Sequence, residues 1–347
     1  MSEFRYATRG RAQREAILKT FQEEGQAAVA FDKTAEKTYE AWDMMFRGEV
    51  EGARALAQEV LVIEGENIGA LNVLGEAALL SGDLKLAEDF LLKAVNATET
   101  TKPPEGGEPG EVLTRMHWTM GFFHTLESIA ALLVESGEYD QAIEVLERLP
   151  ATAFPYLPWS ALVLMRLYTV KRNPQKALAA LRNCQNFRFP GTAYDAALCQ
   201  IILGDGSRAA QALREGFFQS PYIACEIIGE PAPAEVRCGA PDETDGQMKE
   251  VARRYMNQMR ATWESVPGAI EFVRNLWNHP EVKSETYEYC KLTESQADGA
   301  GGKVEKDAVA RLTELLNPGR VKSTSVKIVA EIGPLPPQDA KPFEAEE

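Results

Sequence analysis

Apolar residues recur at helical spacing along most of the chain. From Ile68 to Ser81 they fall at Leu71, Leu74, Ala78 and Leu79. From Leu84 to Ala97 they fall at Leu84, Ala87, Leu91, Ala94 and Val95. Each set covers one helix face, so the two segments predict a pair of amphipathic helices. The break between them, Gly82-Asp83, belongs to a phrase that returns. Gly48-Glu49-Val50-Glu51-Gly52-Ala53 stands 34 residues before Gly82-Asp83-Leu84-Lys85-Leu86-Ala87, and Gly137 to Ala142 and Gly204 to Ala209 repeat the pattern. A glycine, an acidic residue, and an alanine five positions after the glycine describe a tight turn into a second helix that crosses the first closely. A second small residue precedes each glycine by seven positions: Ala41, Gly75, Ala130 and Ala197. A fixed period of this length predicts a helical solenoid.

A fourth, degenerate copy lies at Ser160 to Lys171 and Pro174 to Asn183, with Arg172-Asn173-Pro174 as its turn and Ala177 as the crossing residue. Met165 replaces the small partner there, which predicts a wider crossing. Gly137 follows Gly82 by 55 residues, an excess of 21 over one period. Thr101 to Gly110 takes part of it as a Pro/Gly loop, and a long helix from Glu111 to Ser136 takes the rest. In the fifth copy Ala209, Leu213 and Pro221 follow the turn, with Pro221 at a helix-ending position.

These residues resemble the tetratricopeptide repeat family over Lys33 to Ile228. The resemblance implies an all-α, right-handed superhelical solenoid whose first helices line a concave, partner-binding groove. The family's groove positions map onto Trp42 and Met45; Asn72, Glu76 and Leu79; His124, Glu127 and Ala131; Trp159, Leu162, Arg166 and Thr169; and Tyr194, Leu198 and Ile201. Trp, Tyr and Arg are enriched at binding hot spots. Trp159 could equally pack inside the molecule. Asn72 and Arg166 alone match the chemistry of a terminal-carboxylate clamp, and Glu76 and Glu127 would repel such an anion. An extended segment with one apolar and one basic residue suits this groove better.

Beyond the repeats, Ser220-Pro221-Tyr222-Ile223 leads to a Pro-rich loop near 230–246 and a helix from Gln247 to Glu264. Pro267-Gly268-Ala269 opens another helix ending near Trp277. With Tyr255 and Trp263, this order over residues 190–277 is similar to the suppressor-of-tumorigenicity family and its soluble bacterial relatives. It implies helices that cap the open end of the stack. From Ala297 the expected parts are a flexible DGAGGK linker, a helix from Val304 to Leu316, an edge strand from Ser323 to Ile332 and a disordered end. The expected organisation is therefore residues 1–32 as an N-terminal cap region, 33–229 as repeats, 230–296 as capping helices and 297–347 as linker, short helix and flexible tail.

Charge narrows the partners. The chain carries 37 Lys and Arg against 52 Asp and Glu, a formal net charge of −15. This argues against nucleic acid or an anionic membrane as ligand. Arg5, Arg9, Arg11, Arg14 and Lys19 make the first segment locally basic, while Glu3 and Glu15 weigh against a transit peptide. No apolar run approaches the ~20 residues of a membrane span, and no signal-peptide core is present. Five cysteines without CxxC spacing suggest reduced thiols and a cytoplasmic setting.

Candidate chemistry is sparse. Gly299 to Lys303 fails as a phosphate loop, because Ala297 and Val304 stand where Gly and Ser or Thr are required. His117 and His124 share a face of one helix with Glu127 nearby, but no third metal ligand is evident. No nucleophile motif appears. The expectation is a non-enzymatic adaptor or scaffold with no cofactor, binding a protein or peptide. Alternatives are an assembly subunit docking through solenoid and tail, homo- or hetero-oligomeric, and a metal-dependent or regulatory enzyme domain around His117, His124 and Glu127.

Overall fold

The computed structural model describes residues 33–100, 109–150, 158–182, 191–233, 236, 245–298 and 306–337. Among them the chain is all-α, in helix-turn-helix repeats of tetratricopeptide type. It divides into two compact units, Met1–Ser160 and Ala161–Glu347.

The first unit contains α1 (Lys33–Arg47), α2 (Val50–Ile63), α3 (Ile68–Leu80), α4 (Leu84–Thr100), α5 (Pro109–Glu135), α6 (Tyr139–Glu147) and the first residues of α7 (Pro158–Val170). Helices α1/α2, α3/α4 and α5/α6 are the expected pairs. The crossing alanines Ala53, Ala87 and Ala142 are fully buried. On the facing helix, a Cβ added to Gly75 would come within 2.7 Å of Leu91 Cδ2. Only a residue without a side chain leaves room for that leucine.

The recurring turn has a physical reason. Each first helix ends in a double capping bond: Glu49 N reaches Met44 O at 2.9 Å and Asp83 N reaches Ala78 O at 3.0 Å, while Gly48 and Gly82 sit at φ +79° and +76°. This is the left-handed helix stop that glycine adopts most cheaply. The acidic residue after the glycine then starts the second helix. Asp83 Oδ1 accepts from Leu86 N at 3.0 Å and Asp205 Oδ1 from Arg208 N at 2.9 Å. Glu49 and Glu138, one methylene longer, make no such side-chain cap.

The second unit continues α7 and adds α8 (Pro174–Arg182), α9 (Thr192–Ile202), α10 (Gly206–Gln219), α11 (Pro221–Ile228), α12 (Asp245–Glu264), α13 (Ala269–Trp277), α14 (Pro280–Asp298), α15 (Lys306–Leu315) and α16 (Pro318–Ile332). The degenerate repeat keeps the left-handed turn without glycine: Arg172 has φ +55°. Its guanidinium donates to Ser265 O at 2.6 Å and to Ser265 Oγ at 3.0 Å, bonds that offset the local strain. Pro221 does not simply end a helix. It is the first residue of α11, where its missing N–H costs nothing. Tyr255, Trp263 and Trp277 are buried in the main core of this unit, with Trp277 edge-on to Phe217 at 5.1 Å.

The C-terminal region departs from expectation. Residues Ser323 to Ile332 form no strand; they lie in α16, which Asn317 caps by accepting from Arg320 N at 3.0 Å. The alternation of Val326, Ile328, Ala330 and Ile332 suggested a period of two. The buried and half-buried set is instead Val321, Thr324, Ser325, Ile328, Val329 and Ile332, a helical stripe. The region expected as a short helix and flexible tail thus carries two helices, and the linker 299–305 and the end 338–347 lie outside the described residues.

A buried guanidinium anchors α16. Arg214 on α10 donates to Val321 O at 2.9 Å and Ser325 Oγ at 3.1 Å, and pairs with Glu285 on α14, which also receives Arg320. Removing one partner of such a pair strands a buried charge. Arg214→Ala should therefore lower stability by about 3–5 kcal/mol in urea unfolding, whereas Arg214→Met with Glu285→Leu should cost clearly less. Equal losses in both variants would contradict the ion-pair account.

Candidate functional site

The residues nominated from the repeat register fall into two groups. Met45, Asn72, Glu76, Leu79, Glu127, Ala131 and Trp159 of the first unit are buried, as are Leu162, Arg166, Thr169, Tyr194, Leu198 and Ile201 of the second. Trp42 is half-buried, and the His124 side chain is 23% exposed. Those two are the nominated side chains that face solvent.

In the first unit α3 and α5 are joined by side-chain hydrogen bonds. Asn72 Nδ2 donates to Thr125 Oγ1 at 3.0 Å and to Gly121 O at 3.1 Å. One turn further, Ser128 donates to Glu76 Oε1. Ser160 at the start of α7 donates to Glu127 Oε1 at 2.7 Å, and His124 Nδ1 lies 3.1 Å from Glu127 Oε2. Two carboxylates are thus held at fixed positions among buried polar and apolar side chains. Buried polar groups are tolerated when bonded in this way, and the bonds fix one register between the helices.

An aromatic group stands at the rim of this row. The Trp42 ring lies 5.5 Å from the His124 ring and stacks on Phe46 at 6.0 Å. His124 therefore touches an indole on one side and a buried carboxylate on the other. The unit around it is acidic: residues 1–160 hold 14 Lys and Arg against 27 Asp and Glu, while residues 161–347 hold 23 against 25.

The second unit repeats the device with stronger groups. Arg166 Nε donates to Asp195 Oδ2 at 3.0 Å, and Nη1 donates to Gln258 Oε1 at 3.0 Å. Tyr255 donates to Asp195 Oδ1 at 2.9 Å and accepts from Trp263 Nε1 at 3.0 Å. Burial raises the Asp195 carboxyl above its usual range, against the opposing pull of Arg166 and Tyr255. Burial, reinforced by Asp195, raises the Tyr255 phenol as well. Gly191 opens α9 at φ +91°, and a Cβ there would strike Tyr255 at 2.5 Å. Tyr194 is also engaged, donating to Ser220 O at 2.7 Å.

The groove positions pass over Phe46, Thr125, Ser128, Ser160 and Asp195. Each directly follows a nominated residue: Met45, His124, Glu127, Trp159 and Tyr194. For Thr125, Ser128, Ser160 and Asp195, a polar residue set one place along an apolar helix was the available signal. His117 lies where side chains are not described. Among the described residues no group of three or more His, Cys, Asp or Glu could hold a metal ion. No helix there is long and apolar enough to cross a membrane.

The fold defines an all-α protein of repeated helix-turn-helix pairs. No family model and no curated protein matches the chain. Among solved structures it is similar to NprR in complex with its cognate peptide NprX, at 15% identity over 91% of this chain and 97% of that one, with a TM-score of 0.28. That score is too low to bear on function.

The polar row makes a quantitative prediction. In a double-mutant cycle, Asn72→Ala and Thr125→Val should show a coupling energy of about 0.5–3 kcal/mol in denaturant unfolding. Additive losses would mean the two side chains do not act together.

Proposed function

We propose that the chain is a non-enzymatic adaptor whose first unit binds an extended peptide segment carrying an apolar or aromatic residue beside a basic one. The observation that carries this reading is the Trp42–His124 pair, backed by buried Glu127, on the unit that holds most of the negative charge. An exposed indole edge supplies apolar contact area and a π-face for a cation. The surplus of carboxylates steers a basic segment toward it and disfavours acidic ones. Glu127 lies directly behind His124, its Oε2 3.1 Å from the ring Nδ1.

The resemblance of residues 190–277 to the soluble bacterial relatives of the suppressor-of-tumorigenicity family belongs to this reading as architecture. A reducing, cytoplasmic setting goes with it. Cys199, Cys225 and Cys290 are buried free thiols, and burial pushes Cys199 and Cys225 up to about 12. The assembly-subunit reading has less behind it, because α16 lays its apolar stripe on its own unit.

A positional-scanning peptide array probed with the full chain tests the proposal. Bound peptides should require Lys or Arg next to Trp, Phe or Leu. Trp42→Ala should weaken the selected peptide by about thirtyfold, the loss typical of one hot-spot aromatic. Selection of acidic peptides, or indifference to Trp42→Ala, would exclude this face as the binding site.

A further inference from the structure

Helix α16 ends at Gly333, whose φ of +94° and ψ of 163° turn the chain out of the helix into an extended run. That run is Gly333-Pro334-Leu335-Pro336-Pro337. Each proline ring fixes its own φ near −65°, and each residue before a proline is driven out of the helical region. Gly333, Leu335 and Pro336 all precede a proline, so local sterics favour the left-handed polyproline helix of three residues per turn. Two contacts hold the run against its own unit. Leu335 is half-buried and packs on the main core of the second unit. It lies over Gly206 at the start of α10, where an added Cβ would meet Leu335 Cδ1 at 3.6 Å. Pro336 lies over Gly268, just before α13, where an added Cβ would come within 2.7 Å of Pro336 Cδ. The rings of Pro334, Pro336 and Pro337 are nevertheless exposed. A period of three sets Pro334 and Pro337 on one edge, about 9 Å apart. Leu335 and Pro336 take the other two edges.

We propose that residues 333–337 are a docking ligand for a partner domain with an aromatic-lined groove that reads polyproline helices. The proposal goes beyond the function proposed above. It gives the second unit a partner of its own, for which this chain supplies the ligand and not the groove. Grooves of this kind seat prolines spaced three apart between flat aromatic side chains. Pro334 and Pro337 have that spacing and share an exposed edge. A partner that adds a β-strand suits the segment poorly, because three of its last four residues carry no backbone N–H to pair. The segment is also ordered in advance. Helix α16 precedes it, and Leu335 and Pro336 rest where two glycines leave room. Binding therefore costs little conformational entropy, and preorganisation of this kind raises affinity.

The test immobilises the full chain and probes it with a panel of purified SH3, WW and EVH1 domains, three classes that bind proline-rich segments in aromatic grooves. At least one domain should bind the wild-type chain. The variant Pro334→Ala/Pro337→Ala should bind that domain about tenfold more weakly, the loss expected when apolar anchors are truncated. Its melting temperature should match that of the wild type, because both rings are exposed. A synthetic peptide of residues 331–339 should bind the same domain about tenfold more weakly than the full chain, since it lacks the anchoring contacts. Binding by no domain of the panel would overturn the proposal. So would equal binding by the proline variant, which would leave the segment a structural strap only. A peptide that binds as tightly as the full chain would overturn the part assigned to anchoring.

Discussion

The close crossing of paired helices is the constraint on which the rest of the structure depends. At Ala53, Ala87, Ala142, Ala177 and Ala209 each repeat places a fully buried methyl group on its second helix. The close crossing forces the turn between the two helices to be short, and the short turn forces a left-handed residue. Gly48, Gly82, Gly137 and Gly204 supply it, and Arg172 does so with two hydrogen bonds in compensation. Tight pairs in turn bring the first helices of neighbouring repeats side by side, as α3 and α5 are in the first unit. Everything placed on that inner row, apolar or charged, is positioned by the crossings behind it.

The inner row is unusual in what it buries. Apolar packing alone would hold α3 against α5, but it would tolerate sliding by a turn. Asn72 with Thr125, and Glu76 with Ser128, permit one register only. The second unit does the same with Arg166, Asp195 and Tyr255. A buried ion pair of this kind adds little net stability, because desolvation offsets most of the attraction. Its contribution here is a defined alignment, and the rim residues Trp42 and His124 inherit that alignment.

Much of the architecture was legible in the chain because it rests on short-range geometry. Glycine at a left-handed stop, aspartate as helix cap and alanine at a crossing are local requirements, and each leaves its residue at a fixed spacing. The long helix α5, Pro109–Glu135, followed from the same arithmetic. What depends on distant partners was not legible. Nothing near Arg214 indicates that Glu285 and Ser325 will meet it, 71 and 111 residues later. Helix α16 was misread because its short apolar run fits two periods, and only the contact with α10 selects one. At the candidate site the nominated positions found the inner row. They did not reveal that Glu76, Glu127, Arg166 and Tyr194 are engaged within the protein and that Trp42 and His124 reach solvent.

The proposed function thus turns on one half-buried aromatic pair beside a buried carboxylate in an acidic unit. Hydrogen–deuterium exchange on the full chain, with and without a saturating basic-aromatic peptide chosen from the array, addresses it most directly. The account predicts slowed exchange confined to α1 and α5 around Trp42 and His124, and no such protection in the Trp42→Ala variant. Protection centred on the second unit, or persisting in that variant, would contradict it.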